Sequence, residues 1–128
     1  MKNELQQKLF NAKDWEERYR CIIQAAKNLP RPDEESLSQM QLIPGCEVKV
    51  WFKYLEKNNR TFQFYAYSES RIINGLLWII LLEIQDKSAT QLREFSIKNY
   101  LSQLGIAQRL SASRLNGFAH IEKILQQL

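Results

Sequence analysis

Val48-Lys49-Val50-Trp51-Phe52-Lys53-Tyr54 and, past a polar break, Thr61-Phe62-Gln63-Phe64-Tyr65-Ala66-Tyr67 carry the change of period that decides the fold of this chain. From Glu47 onward, Val48, Val50, Phe52 and Tyr54 fall on one side of an extended segment, with Lys49, Trp51 and Lys53 on the other. Phe62, Phe64 and Ala66 alternate in the same way against Gln63, Tyr65 and Tyr67. A period of two marks a strand with one buried face. Lys57-Asn58-Asn59-Arg60 between the two runs is turn-forming. The pair therefore reads as an antiparallel hairpin.

On both sides of the hairpin the period is helical. Upstream, a short helix is expected from about Leu5 to Ala12, and Asp14 opens a second. Asp14 and Glu17 have the spacing of a capping box, in which each side chain satisfies a free backbone donor at the helix start. Trp15, Tyr19, Ile22, Ile23, Ala26 and Leu29 recur at helical spacing as an apolar face. Leu29-Pro30-Arg31-Pro32 ends this helix, because the residue before a proline is pushed out of the helical region. Residues 33–44 are polar and read as mostly loop, with one turn around Glu35 to Met40.

Downstream, Ser68 is placed to cap a helix from about Glu69 to Gln85. That segment is apolar nearly all round, as a central buried helix is. Ser88 and Gln91 suggest a further cap with a short helix to about Phe95. Another short helix follows from Ser96 to Leu104, closed by Gly105. Ser111 or Ser113 starts the last one, which carries Leu115, Phe118, Ile121, Leu125 and Leu128. The class is α+β: a small antiparallel sheet packed with N-terminal and C-terminal helices. With no repeat and no linker composition, residues 1–128 read as a single domain.

Composition narrows the functions. The chain has 128 residues, 45% hydrophobic and 25% charged, a globular balance rather than a disordered one. Eighteen Lys and Arg against fourteen Asp and Glu give a net charge of +4, spread along the chain without the basic runs of nucleic-acid tails. The start, Met1 to Lys8, has no apolar signal core. The most apolar stretch, Ile72 to Ile84, is interrupted by Asn74, Gly75 and Glu83, and is shorter than the roughly 20 residues that span a bilayer. The expected location is the cytoplasm. Cys21 and Cys46 make no disulfide framework. With His120 as the lone histidine they also lack the close ligand pairs of structural zinc.

Four scattered glycines exclude a phosphate-cradling loop. A cysteine–histidine hydrolase would need His120 beside a thiol and a third residue to orient it. A single histidine on a C-terminal helix reads more readily as structural. The thiols remain. Cys21 falls away from the apolar stripe of its helix and reads as an inert small residue. Cys46 follows Pro44-Gly45 at the junction of a loop and a strand, where glycine permits a tight turn that presents a side chain. Sulfur exchange proceeds by direct attack of a thiolate on another sulfur and needs no neighbouring base. A lone loop cysteine thus suffices for sulfur transfer but not for peptide hydrolysis. On the residues alone, an inert packed Cys46 remains open beside the reactive one.

Four stretches, in this order and spacing, resemble the SufE family of sulfur acceptors that partner cysteine desulfurases, and its CsdE branch most. They are Trp15-Glu16-Glu17-Arg18-Tyr19 running on to Leu29-Pro30, Ile43-Pro44-Gly45-Cys46-Glu47 with Val50-Trp51, Ser68-Glu69 with Arg71-Ile72-Ile73 and Gly75-Leu76-Leu77, and Leu110-Ser111-Ala112-Ser113-Arg114 with Gly117. The resemblance covers the chain from about Trp15 to the last helix. It implies a fold related to iron–sulfur scaffold proteins. It also implies a function: a desulfurase takes sulfur from L-cysteine with pyridoxal phosphate and holds it as a persulfide. Cys46 would then attack the outer sulfur, become a persulfide itself and deliver it to an iron–sulfur scaffold or another acceptor. The pyridoxal phosphate would belong to the partner, leaving this chain without a cofactor or metal of its own. In the family the cysteine loop shelters in a shallow cleft and moves out when the partner docks. Gly45, Glu47, Trp51 and Arg114 are implied to support the loop or the partner contact.

Two departures stand out. Val48 occupies a position where relatives usually have Ser or Asn, and Ala66-Tyr67 stand where they usually have Gly-Asp. Both lie near the expected partner-facing surface and leave the sulfur chemistry untouched. They motivate a second reading, an adaptor that binds a desulfurase without efficient transfer. A third reading, a basic nucleic-acid module using Lys49, Trp51 and Lys53, ranks last because the cations form no single patch.

Overall fold

The hairpin is the centre of the molecule. The computed structural model describes residues 2–128. Strands β2 (Val50–Glu56) and β3 (Thr61–Ser68) pair antiparallel in unbroken register from Val50↔Ser68 to Glu56↔Phe62. The turn between them closes with Lys57 N–H on the Thr61 carbonyl at 2.8 Å, and Arg60 takes a left-handed φ of 63°. Two short strands, β1 (Gln41–Leu42) and β4 (Lys87–Ser88), flank the pair. Together they form a four-stranded antiparallel sheet in the order β1-β2-β3-β4. Neither short strand was expected, because two residues carry no readable period. Residues 33–44 accordingly hold more structure than a loop. Besides β1 they form helix α3 (Glu34–Ser38), capped by Asp33, whose carboxylate accepts from Ser36 N–H at 2.8 Å.

Val50, Phe52, Phe62, Phe64 and Ala66 turn the inner face of the sheet into the core. Val48 does not belong to that face. Strand β2 begins at Val50, and Val48 lies in the preceding loop with 40% of its surface exposed. The pairing of Ile43 N–H with the Val50 carbonyl at 2.9 Å closes the loop immediately before the strand.

Helix α4 (Arg71–Ile84) is the buried central helix, with Ile72, Ile73, Leu76, Leu77, Ile79, Ile80 and Ile84 all in the core. Its cap is Ser70, which accepts from Ile73 N–H, not Ser68 as expected. Ser68 is still strand, paired with Val50, and is completely buried. Its hydroxyl donates to the Lys49 carbonyl at 2.7 Å and accepts from Ser70 N–H at 3.2 Å.

Two amides, one within α4 and one at its end, explain why polar residues interrupt an apolar helix. Strand β4 covers only Thr61 and Phe62 of the β3 edge. Farther along that edge, the Gln85 amide pairs with both backbone groups of Phe64, and the Asn74 amide with both of Ser68. An unpaired buried backbone group is costly, so the side chains stand in for a missing strand.

Helix α1 (Lys2–Phe10) and helix α2 (Trp15–Ala26) cover α4. Asp14 caps α2 through Glu17 N–H at 2.9 Å, but Glu17 reaches back to Lys13 N–H rather than to Asp14, so the reciprocal half of the capping box falls one residue early. The buried residues of α2 are Ile22 and Ala25, with Leu29 buried just past its end, while Tyr19 is exposed. The helix is rotated from the expected face because Arg18 Nε donates to the Leu104 carbonyl at 3.1 Å, and because α2 meets α4 at Gly75.

Helices α5 (Ala89–Glu94), α6 (Ile97–Gln103) and α7 (Ala112–Gln126) follow. Ser88 and Gln91 make the complete capping box, Ser96 caps α6, and Ser111, rather than Ser113, caps α7. Gly105 ends α6 at a left-handed φ of 77°. Phe118, Ile121 and Leu125 of α7 are buried, with Leu115 and Leu128 packed at the core margin.

Candidate active site

The loop of residues 43–49 joins β1 to β2 and carries Cys46. Ile43 anchors its start in the core. Gly45 then adopts φ +82°, a left-handed conformation that costs glycine least. This turn lays the next residue across α7. Gly45 sits over the His120 ring and the Asn116 side chain. Cys46 turns its thiol onto Gly117: a β-carbon built there would lie 2.4 Å from Sγ. The loop therefore rests along one face of α7, where positions three and four apart are neighbours.

The thiol is half-buried, not displayed at a loop tip. It borders a small cavity of about 50 Å³ lined by Cys46, Val48, Val50, Ile73, Arg114 and Phe118, among others. That volume exceeds what one water needs. Burial pushes the Cys46 thiol above its ordinary pKa, because an apolar surrounding disfavours the thiolate. Arg114 stands at the cavity edge in the first turn of α7. A cation and a helix N-terminus both favour an anion, whereas burial of the thiol works against one.

The expected site residues separate into two groups. Cys46, Glu47 and Arg114 line one cavity, with Gly45 shaping the loop that enters it. Trp51 lies elsewhere. It faces the outer side of the sheet, opposite its neighbours Val50 and Phe52, and stacks on its cross-strand partner Tyr67 with ring centroids 6.2 Å apart. The departure at Tyr67 thus goes with Trp51, away from the thiol, whereas the departure at Val48 lies in the cavity wall.

Two contacts are not legible in the sequence. His120, which reads there as structural, comes against Gly45, one residue from the thiol. Gly117 receives the sulfur itself. It does leave a signal: glycine inside a helix costs about 1 kcal/mol relative to alanine, and its presence there points to a close approach. Cys21 lies in α2, partly buried and packed against the core rather than turned away from it as its position off the apolar stripe suggested. Among the described residues no three His, Cys, Asp or Glu side chains converge on a possible metal. No described helix is long and apolar enough to cross a membrane.

A family model described as "SufE: Fe-S metabolism associated domain" matches residues 3–128. The chain belongs to the SufE family. An uncharacterized SufE-like protein of Haemophilus influenzae is 54% identical over 122 residues, covering 95% of this chain and 97% of that protein. The sulfur acceptor protein CsdE of Escherichia coli K12 is 38% identical over 103 residues, 80% of this chain and 70% of its own length. The cysteine desulfuration protein SufE of Wigglesworthia glossinidia brevipalpis is 30% identical over 117 residues, 91% of this chain and 81% of its own. The solution structure of a hypothetical protein from Thermus thermophilus superposes with a TM-score of 0.73 over 97% of this chain and 91% of that one. At 15% identity it speaks for the α+β fold alone. The fold expected from the hairpin and its flanking helices is the SufE fold.

Proposed function

We propose that this SufE-family chain is a sulfur acceptor and carrier that receives sulfur on Cys46 from a cysteine desulfurase. The observation that carries the reading is the sheltered thiol: a cysteine on a glycine turn, seated on α7 beside a cavity with room for one further atom. The thiolate of Cys46 attacks the outer sulfur of the desulfurase persulfide. A sulfur–sulfur bond forms on Cys46, the bond within the donor persulfide breaks, and the donor cysteine leaves as a thiolate. The thiol proton passes to solvent. The names of two relatives, a sulfur acceptor and a cysteine desulfuration protein, support the partner. Pyridoxal phosphate belongs to that desulfurase, and the chain acts as an accessory carrier with a covalent intermediate rather than as an independent enzyme. It stimulates the desulfurase by clearing its persulfide. It then passes sulfur to an iron–sulfur scaffold or a related acceptor. Two free thiols fit a reducing compartment, the cytoplasm.

The test is intact-mass measurement under non-reducing conditions after incubation with a cysteine desulfurase and L-cysteine. Cys21→Ser gains one sulfur, about 32 Da and reducible, on the persulfide branch of cysteine chemistry. Cys46→Ser gains none. A sulfur retained by Cys46→Ser would overturn the assignment. The adaptor reading draws on Val48, an exposed apolar residue in the wall of the thiol cavity. Stimulation of sulfide release that survives in Cys46→Ser would favour it.

A further inference from the structure

We infer that Gly117 is a positioning residue, the socket whose missing side chain lets the Cys46 thiol withdraw against α7 and so sets how often the thiol is available. The inference rests on the reading of Cys46 as acceptor, but its geometry is independent of any partner. A β-carbon at Gly117 would come 2.4 Å from Cys46 Sγ, far inside contact distance, and 3.9 Å from Cys46 Cβ, an ordinary contact. The sulfur atom alone, not the backbone of the loop, depends on the absence of a side chain at residue 117. Gly117 is itself buried in the middle of α7, held by Phe118 and Ile121 in the core, so the helix cannot retreat. The loop can. It carries no regular structure from Ile43 to Lys49, and all of its residues except Ile43 are exposed or partly exposed.

Outward movement of the cysteine loop is what the resemblance to the family implies, and the socket divides that movement into two states. In the withdrawn state Sγ fills the socket and burial holds its proton. In the extended state the thiol leaves the socket and reaches the cavity mouth, where the start of α7 and Arg114 favour the thiolate. Gly45 pivots the change over Asn116 and His120, beside the socket on α7. A methyl at residue 117 closes the withdrawn state and leaves the extended one untouched. Overpacking a filled site costs enough to move such an equilibrium by roughly tenfold or more.

The experiment uses the full chain with Cys21→Ser, so that Cys46 is the sole thiol. Iodoacetamide alkylation is followed by intact mass as a function of pH. The thiolate carbon–sulfur bond forms as iodide leaves, and no desulfurase is involved. Gly117→Ala is expected to raise the alkylation rate at neutral pH about tenfold and to move the pH midpoint down. A purely structural glycine would leave both the rate and the midpoint where they were. Thermal melting of Gly117→Ala, Cys46→Ala and the double variant separates the socket from general damage. Gly117→Ala should destabilise when Cys46 is present, and stabilise when Cys46→Ala has removed the sulfur, because alanine is the better helix former. Alkylation rate and midpoint unchanged in folded Gly117→Ala, or the same stability change with and without the sulfur, overturns the socket. Loss of sulfur loading with these results intact would instead count against the acceptor reading.

Discussion

The Gln85 side-chain amide stands where strand β4 would continue, donating to the Phe64 carbonyl and accepting from Phe64 N–H, both at 2.8 Å. Phe64 is 1% exposed, so water has no easy route to replace these bonds. Gln85→Leu keeps the apolar contacts and orphans both backbone groups. At roughly 1–3 kcal/mol for each buried unsatisfied group, the expected loss is about 3 kcal/mol, read as a lower urea midpoint. Gln85→Glu should recover only part of it, since a carboxylate accepts from the N–H but faces the carbonyl with a second acceptor. An unchanged midpoint in Gln85→Leu would show that the β3 edge needs no substitute strand.

Ser68 ties the end of β3 to the arm of the cysteine loop. Its hydroxyl is the donor to the Lys49 carbonyl, three residues after Cys46. Ser68→Ala should cost about 1–3 kcal/mol and speed hydrogen exchange across residues 47–50. Ser38→Ala, which removes an exposed bond within α3, is the control and should change stability little. Equal exchange in residues 47–50 of both variants would remove Ser68 from the support of the loop.

The hairpin was legible because Val50 to Tyr54 and Thr61 to Tyr67 alternate over enough residues to declare a period. Helix α4 was legible for the same reason, as a long apolar run that only a buried helix explains. What escaped has physical causes. Strands β1 and β4 have two residues each and owe their pairing to tertiary contact. Ser68 and Ser70 are both good caps locally, and only the register Val50↔Ser68 decides between them. Cys46 was legible as the candidate thiol, and the resemblance implied a sheltered loop, but the seat of the sulfur on Gly117 was not legible, because the surface that receives it comes from α7, far along the chain. Trp51 shared a sequence motif with Cys46 yet points to the opposite face, which strand alternation from Val50 already implied.

Gly75 is a point of close approach between α2 and α4. A β-carbon there would lie 2.0 Å from the Ile22 carbonyl oxygen and 2.8 Å from its carbon. The obstacle is backbone and cannot rotate away. Gly75→Ala gains about 1 kcal/mol of helix propensity, but it must separate two helices at the centre of the core. The net loss is expected at about 3 kcal/mol or more, seen as a lower melting temperature or failure to accumulate folded protein. Ile22→Ala does not relieve the backbone clash, so it should not rescue Gly75→Ala. Rescue would mean that side-chain crowding, not helix approach, selects the glycine.

Cys46 should make the folded chain less stable at high pH. Its thiol titrates above the ordinary value because burial penalises the thiolate. Between the unfolded and native values the folded chain therefore binds more protons than the unfolded one. Stability then falls as pH rises, since the slope follows the protons bound in the unfolded state minus those bound in the native state. The contribution is whole below the ordinary thiol range and is lost as pH climbs through the raised native value. In a Cys21→Ser background, melting temperatures between about pH 7 and 10.5, a range bracketing ordinary thiols, should decline more steeply with Cys46 than with Cys46→Ser, which does not titrate there. The alkylation midpoint of the native chain should likewise lie above that of the urea-unfolded chain. A native midpoint at or below the unfolded one would mean that Arg114 and the start of α7 outweigh burial, and that the resting thiol is already poised at the cavity mouth.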